Sequence, residues 1–285
     1  MGIVLGANRY GKAEVHLVRV DRGEAWHALS DVTVSVALSG DLTDVHLRGD
    51  NANVLTTDAQ KNTVFAFAAE GVGQIEDFGL RLARHFVDSQ PAIDRAVVRL
   101  VEQPWDRIDD APHSFSRNGS CQRTAQVCYA GGTAEVVSGL TGLTLLNTTD
   151  SEFWGYVKDR YTTLAETTDR ILATAVDARW RHTDASDDFG KSYVDVRRLL
   201  TAAFAETYSY SLQQTLYAMG ERVLAEHPEL AEIRLSLPNK HHFLVDLSPY
   251  GLDNPDAVYY AADRPYGLIE GTVTRDDAAP SMMDW

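Results

Sequence analysis

The order in which its periodicities follow one another constrains this chain more than any single motif. Residues 9–20 are β-rich, and Val32-Thr33-Val34-Ser35-Val36-Ala37-Leu38-Ser39 alternates apolar with polar. Together they read as an antiparallel hairpin turning through Asp21-Arg22-Gly23. Thr57 with Gln60 three residues on fits a capping box, which places Thr57 at a helix N-terminus with outward-facing backbone donors. Ile75, Phe78, Leu82 and Phe86 mark the apolar stripe of a second helix ending before Pro91. Strands over 96–101 and 122–129 follow. The second half is expected to repeat that order. Strands at 143–146 and 175–181 precede two helical stripes, Val196, Leu199, Leu200, Ala203, Phe204 and then Leu212, Leu216, Met219, Val223. Strands within 233–247 and 268–274 close it. The repeat rests on element order, because the two halves share negligible residue identity. The expected fold class is α+β, with two tandem antiparallel ββααββ-type units at 1–136 and 137–277 and a disordered tail at 278–285. Such sheets leave edges and a second face to cover, and closing into a barrel with other subunits would cover both.

With 285 residues, 44% of them hydrophobic, the chain can bury a substantial core. No apolar run approaches the roughly 20 residues of a membrane span, and Met1-Gly2-Ile3-Val4-Leu5-Gly6 lacks the basic start of a signal peptide. A formal charge of -15 disfavours nucleic acid and anionic membranes as partners. A small anion remains compatible, because local arginines and helix ends can hold one inside an acidic shell. Cys121 and Cys128, seven residues apart, are too distant to bridge locally along extended chain and are read as reduced thiols. On that reading the sequons at Asn118-Gly119-Ser120 and Asn147-Thr148-Thr149 are chance matches.

Gly6-Ala7-Asn8-Arg9-Tyr10-Gly11-Lys12 imitates a phosphate-binding loop, but Ala13 replaces the required Ser or Thr and β-rich sequence replaces the required helix. The nine histidines form no tight chelating group, and no metal is expected. Leu235, Leu237, Phe243, Val245 and Leu247 alternate on either side of Pro238, which removes a ladder donor. At that break Asn239 and His241 lie two apart, so extended geometry aims an amide and an imidazole to one side.

Six fragments carry a resemblance. They are Arg9-Tyr10-Gly11-Lys12; Thr57-Asp58 with Lys61-Asn62-Thr63; Leu140-Thr141-Gly142-Leu143-Thr144; Phe153-Trp154-Gly155 with Tyr161-Thr162-Thr163-Leu164; Asp169-Arg170-Ile171-Leu172; and Leu237-Pro238-Asn239-Lys240-His241. In this order and spacing the chain resembles the urate oxidase (uricase) family from about Arg9 to Arg275. The resemblance implies a tunnelling fold (T-fold), with two subunits closing a barrel and two barrels stacking into a homotetramer whose active sites lie between subunits. It also implies oxidation of urate by dioxygen and water to 5-hydroxyisourate and hydrogen peroxide, without cofactor or metal.

Residue roles are carried over position by position. Phe153 matches the aromatic that stacks on the flat purine. Arg170 matches the clamp on its pyrimidine edge, where a planar fork of donors suits carbonyl and deprotonated nitrogen. Gln213, beside the Leu212 backbone, matches the amide completing that grip, with Gln214 as the competing choice. Thr57 and Asp58 match the opposite wall, and Asn239 with the Thr57 hydroxyl matches the dioxygen and water site. Lys12, Thr57 and His241 match the proton-handling set. A free lysine titrates near about 10.4 and is a poor base at neutral pH, so direct action would require burial or neighbours to lower it. Ending in Met282-Met283-Asp284-Trp285 rather than a peroxisomal Ser-Lys-Leu, the chain is expected to be cytoplasmic. The alternatives are another tunnelling-fold purine or pterin enzyme of the cyclohydrolase kind, and a non-catalytic purine-binding module.

Overall fold

The computed structural model describes residues 2–117, 119, 121–262 and 264–283. It divides into two compact units, one of Met1–Gly139, Arg181–Lys191 and Ala279–Trp285, the other of Leu140–Trp180 and Ser192–Ala278. The boundary expected at 136/137 thus lies three residues later, and 181–191 with the C-terminal segment join the first unit.

In the first unit, β1 (Tyr10–Arg22) and β2 (His27–Gly40) form an antiparallel hairpin, followed by the short α1 (Thr43–Arg48). Arg22 still pairs with His27, so the turn falls at 23–26, after the Asp21-Arg22-Gly23 expected. Two helices, α2 (Thr57–Glu70) and α3 (Ile75–Ser89), precede β3 (Ile93–Glu102). The long loop expected around Pro112 contains its own small hairpin, β4 (Trp105–Arg107) with β5 (Phe115–Arg117). With β6 (Gln122–Ala130) and β7 (Thr133–Asn147), the strand order is β1-β2-β3-β6-β7. Alternation puts Val32, Val34, Val36, Leu38, Ala96, Val98, Leu100, Ala125 and Val127 on one face, and that face packs on Val64, Phe78, Leu82 and Phe86 of α2 and α3. Contact is close enough that a Cβ at Gly79 would stand 2.8 Å from Val127 Cγ2.

Under this layer lies a buried polar chain. Arg123 pairs with Glu76 at 2.6 Å, Ser138 Oγ donates to Glu76 at 2.6 Å, and His182 bridges Ser138 at 3.0 Å and Asp187 at 2.9 Å. Serine, histidine and aspartate so aligned resemble a hydrolytic triad, but Ser138 is 0% exposed and its proton is directed at a carboxylate. The chain instead holds segment 181–191 to α3.

In the second unit the order is β7-β8-β9-β12, with β8 (Leu172–His182), α4 (Phe189–Glu206), α5 (Leu212–Glu226), β9 (Leu230–Pro238) and β12 (Leu268–Thr274). Helix α5 lies on β9 and β12 through small residues: a Cβ at Gly220 would meet Val273 Cγ2 at 2.5 Å. The strand expected across 233–247 is two. β9 ends at Pro238, and β10 (His241–Leu244) pairs with β11 (Tyr259–Ala262) in a separate ribbon. A proline without a backbone donor ends the first ladder, and the chain turns out of the sheet there.

Residues 281–283 are not loose, contrary to the disordered tail expected. Met283 is 5% exposed against Val97, Cys128 and Val137, while Ser281 Oγ and the Met282 backbone donate to the two oxygens of Glu135 at 2.7 and 3.0 Å. Apolar burial and satisfied backbone offset the ordering entropy that sequence position alone suggested would win. Asp284 and Trp285, and the sequon residues Asn118 and Ser120, lie outside the described residues. Cys121 and Cys128 are not joined in a disulfide, and burial pushes the Cys128 thiol up.

Candidate active site

The expected site residues fall into two groups, one in each unit. In the first, Lys12 sits beside a bulge in β1. Ala13 and Glu14 together stand opposite Ser35, Glu14 has φ 56°, and its N–H donates to Ser35 Oγ at 2.9 Å. Gly11 must precede it, because a Cβ there would be 1.8 Å from the Val36 carbonyl oxygen. The bulge re-aims the strand at this lysine. Tyr10 donates to the Leu55 carbonyl at 3.1 Å, which ties this end of β1 to the loop entering α2.

Thr57 opens α2, but the capping residue is Thr56, whose side chain accepts from the Ala59 N–H at 3.1 Å. The capping box expected of Thr57 and Gln60 is absent. Gln60 is buried and its amide donates to the Leu55 carbonyl. The one-residue shift leaves Thr57 exposed in the first helical turn, with its hydroxyl not spent on capping. Asp58 beside it is exposed, bonded by Lys61 at 2.6 Å and Asn62 at 3.0 Å. Its carboxyl is held below the usual range first by the Lys61 bond and charge, with the charge of Lys12 contributing. Lys12 and Asp58 therefore share one electrostatic neighbourhood.

In the second unit Arg170 is the centre. Its guanidinium lies 5.1 Å from the Phe153 ring centroid and its Nε donates to Ser151 Oγ at 3.3 Å. Burial holds the guanidinium below its ordinary pKa. Phe153, half-buried, also stacks on Tyr156 at 4.9 Å and 17°. Ser151, fully buried, forms a parallel bridge with Ser209, and the Ser209 hydroxyl accepts from Thr215 of α5 at 2.8 Å. Arg170 is thus tied through Ser151 and the backbone bridge to Ser209 to the first turn of α5. Ser211 caps that helix by accepting from the Gln214 N–H, and the Gln214 side chain accepts from the Tyr210 N–H at 3.2 Å. Gln214 is therefore engaged in capping, whereas Gln213 is exposed in the first turn, next to the buried side chain of Leu212. First-turn N–H groups at 212 and 213 form an anion-favouring edge.

Asn239 pairs with Thr174 across an antiparallel bridge, its N–H donates to the Gly267 carbonyl at 2.8 Å, and the Lys240 N–H donates to Ala173 at 2.8 Å. This fixes the Asn239-Lys240-His241 turn against the strand that Arg170 leads into. His241 is held below the ordinary histidine pKa first by burial, then by the charges of Arg170 and His242, and its ring stacks on Phe243 at 5.7 Å. A neutral imidazole beside a fixed cation is a proton acceptor at neutral pH. Ser151, Tyr156, Ser209 and Thr174 were not foreseen. Small hydroxyl residues carry no periodic signal, and the buried Thr174 Oγ1, without a partner among the described residues, is visible only once the strands are paired. Among the described residues, no group of three or more His, Cys, Asp or Glu side chains is arranged to hold a metal.

The uricase family model matches residues 8–128 and 136–270 of this chain. The uricase of Arthrobacter globiformis is 52% identical over 283 residues, spanning 99% of this chain and 94% of that relative. The uricase of Aspergillus flavus is 37% identical over 290 residues, spanning 94% and 96%. The crystal structure of the Arthrobacter globiformis uricase matches with a TM-score of 0.96 over 99% of this chain and 98% of that one.

Proposed function

This chain belongs to the uricase family, and from that premise we infer how its side chains serve the oxidation of urate. It is an oxidoreductase, a urate oxidase: urate, dioxygen and water become 5-hydroxyisourate and hydrogen peroxide. The reading of the site rests above all on Arg170, a half-buried cation laid over Phe153 and anchored to Ser151. An aromatic face, a planar fork of donors and the exposed Gln213 amide suit a flat, anionic lactam.

Urate is a monoanion at neutral pH and must lose a second proton before it is electron-rich enough to reduce dioxygen. Lys12, the Thr57 hydroxyl and His241 carry that proton, because a hydroxyl both donates and accepts and a depressed imidazole accepts. The dianion then gives one electron to dioxygen. The urate radical and superoxide combine at C5 into a peroxide; this takes back the proton held by the relay and a second proton from solvent, so that hydrogen peroxide leaves and the ring becomes the two-electron-oxidised imine. Water held by Asn239 and Thr57 adds to that imine, giving 5-hydroxyisourate. The electrons come from the substrate itself, so this reading assigns no step to a metal or coenzyme, and the protein supplies orientation, deprotonation and water control.

Two tandem ββααββ units closing a barrel with a partner copy, and two barrels forming a tetramer, complete the proposal. Lys12, Thr57 and Asp58 of one copy would face Phe153, Arg170, Leu212, Gln213, Asn239 and His241 of another. Two cysteines outside any disulfide fit a reducing cytoplasm. The test is the ultraviolet absorbance of urate, with oxygen uptake, in aerated buffer with and without a chelator. Loss of absorbance under both conditions is expected, and unchanged absorbance with the purified protein overturns the reading.

A further inference from the structure

Alternate residues of β8 share a face, and Leu172, Thr174, Val176, Ala178 and Trp180 on that face are all 0% exposed. Thr174 alone brings a hydroxyl into the row, and its Oγ1 has no hydrogen-bond partner among the described residues. Valine would fill the same volume without an unpaired polar atom, so packing by itself does not account for threonine here. Directly opposite stands Asn239, in an antiparallel bridge. The Lys240 N–H donates to the Ala173 carbonyl at 2.8 Å, which makes Thr174 and Asn239 a pair that exchanges no backbone bonds with each other. In that kind of pair both side chains leave the same face, with Cβ atoms about 4.5–5.5 Å apart. The Asn239 carboxamide, half-buried, likewise makes no hydrogen bond among the described residues.

We propose that Thr174 is a positioning residue, its hydroxyl orienting the Asn239 carboxamide toward the dioxygen and water site; this rests on the role given to Asn239 above. As dioxygen is reduced there, its oxygens gain negative charge and call for donors, so the amide must present its Nδ2 hydrogens. Its Oδ1 then turns back toward the strand and requires a donor of its own. The neighbouring backbone donors are spent, the Asn239 N–H on the Gly267 carbonyl at 2.8 Å and the Lys240 N–H on Ala173. The Thr174 O–H, unspent and on the same face, supplies it. Rotation of the carboxamide about its side-chain bonds closes this contact, pairs both groups at once and leaves the amide one orientation instead of two. Thr174 is fully buried, so it acts through Asn239 rather than on the substrate.

The experiment is a double-mutant cycle, read by steady-state kinetics, on Thr174→Val, Asn239→Ala and the two combined. Thr174→Val is expected to lower kcat about tenfold, with KM for urate within about twofold and an unfolding midpoint no lower than that of the unmodified protein. Thr174→Ser, which keeps the hydroxyl, should recover most of the loss. The double variant should be no slower than Asn239→Ala alone, because Thr174 acts only through that amide. Should Thr174→Val not fold, Thr174→Ala carries the comparison, its kcat judged against that of Thr174→Ser. Full turnover in Asn239→Ala would overturn the role of Asn239 and the proposal with it. An impaired Asn239→Ala beside an unimpaired Thr174→Val, losses that multiply in the double variant, or no rescue by serine overturns the proposal alone.

Discussion

The guanidinium of Arg170 stands 5.1 Å from the centre of the Phe153 ring while its Nε reaches the buried hydroxyl of Ser151. Ser151 and Phe153 are two positions apart along the chain, so the anchor that orients the cation also fixes the segment carrying the ring. A substrate sliding over Phe153 would meet a donor fork already in place, with little reorganisation left to do.

Replacing Arg170 with alanine removes both the fork and the packing on Phe153. Urate binding is expected to weaken about tenfold to a hundredfold, roughly 1.4–2.7 kcal/mol. Steady-state kinetics check this, and an unchanged KM would exclude the clamp role.

Lys12→Ala and Thr57→Ala act on proton transfer and should lower kcat by about 10²–10⁴ while leaving KM within a few-fold. Because the proposed site is shared between copies, mixed tetramers of Lys12→Ala and Arg170→Ala should recover part of the activity. Verified mixed tetramers without any recovery would refute the shared site.

Burial, Arg170 and His242 hold His241 below its ordinary pKa. A histidine lowered in this way contributes stability that is complete above its unfolded value near 6.5 and is lost as pH falls through the folded value. The acid limb of kcat should follow the same group. Arg170→Gln removes one depressing charge, so the imidazole pKa should rise and the acid limb move to higher pH. A pH–rate profile on both proteins measures this, and an unmoved limb would detach His241 from the proton path.

Glu135 receives Ser281, the Met282 N–H and, at 3.6 Å, Arg181, itself 5% exposed. Glu135→Ala leaves a buried guanidinium without this carboxylate and frees the terminal strap, for an expected loss of about 3–5 kcal/mol. Glu135→Gln, which keeps an acceptor, should lose less. Thermal unfolding of the unmodified protein beside the two variants measures this, and midpoints of both variants equal to that of the unmodified protein would show that the strap contributes nothing.

Much of this was legible before any coordinates. The alternation from Val32 to Leu38 and the stripe Ile75, Phe78, Leu82, Phe86 located a strand and a helix because burial on one face imposes a period of 2 or 3.6 on any sequence. Pro238 marked the strand end for an equally local reason, a missing donor. Local signals failed where competing local partners differ by a single hydrogen bond. Thr56 rather than Thr57 caps α2, and Gln60 bonds Leu55 rather than closing a box.

Sequence by itself determined the principal strands and helices, the family and the kinds of side chain at the site, because periodicity, proline and ordered motifs are written along the chain. Tertiary structure alone decided that Ser151 holds Arg170 and that 281–283 is docked on Glu135. Each of these depends on residues far apart in sequence, and contacts of that kind exist only after the strands have paired and chosen their faces.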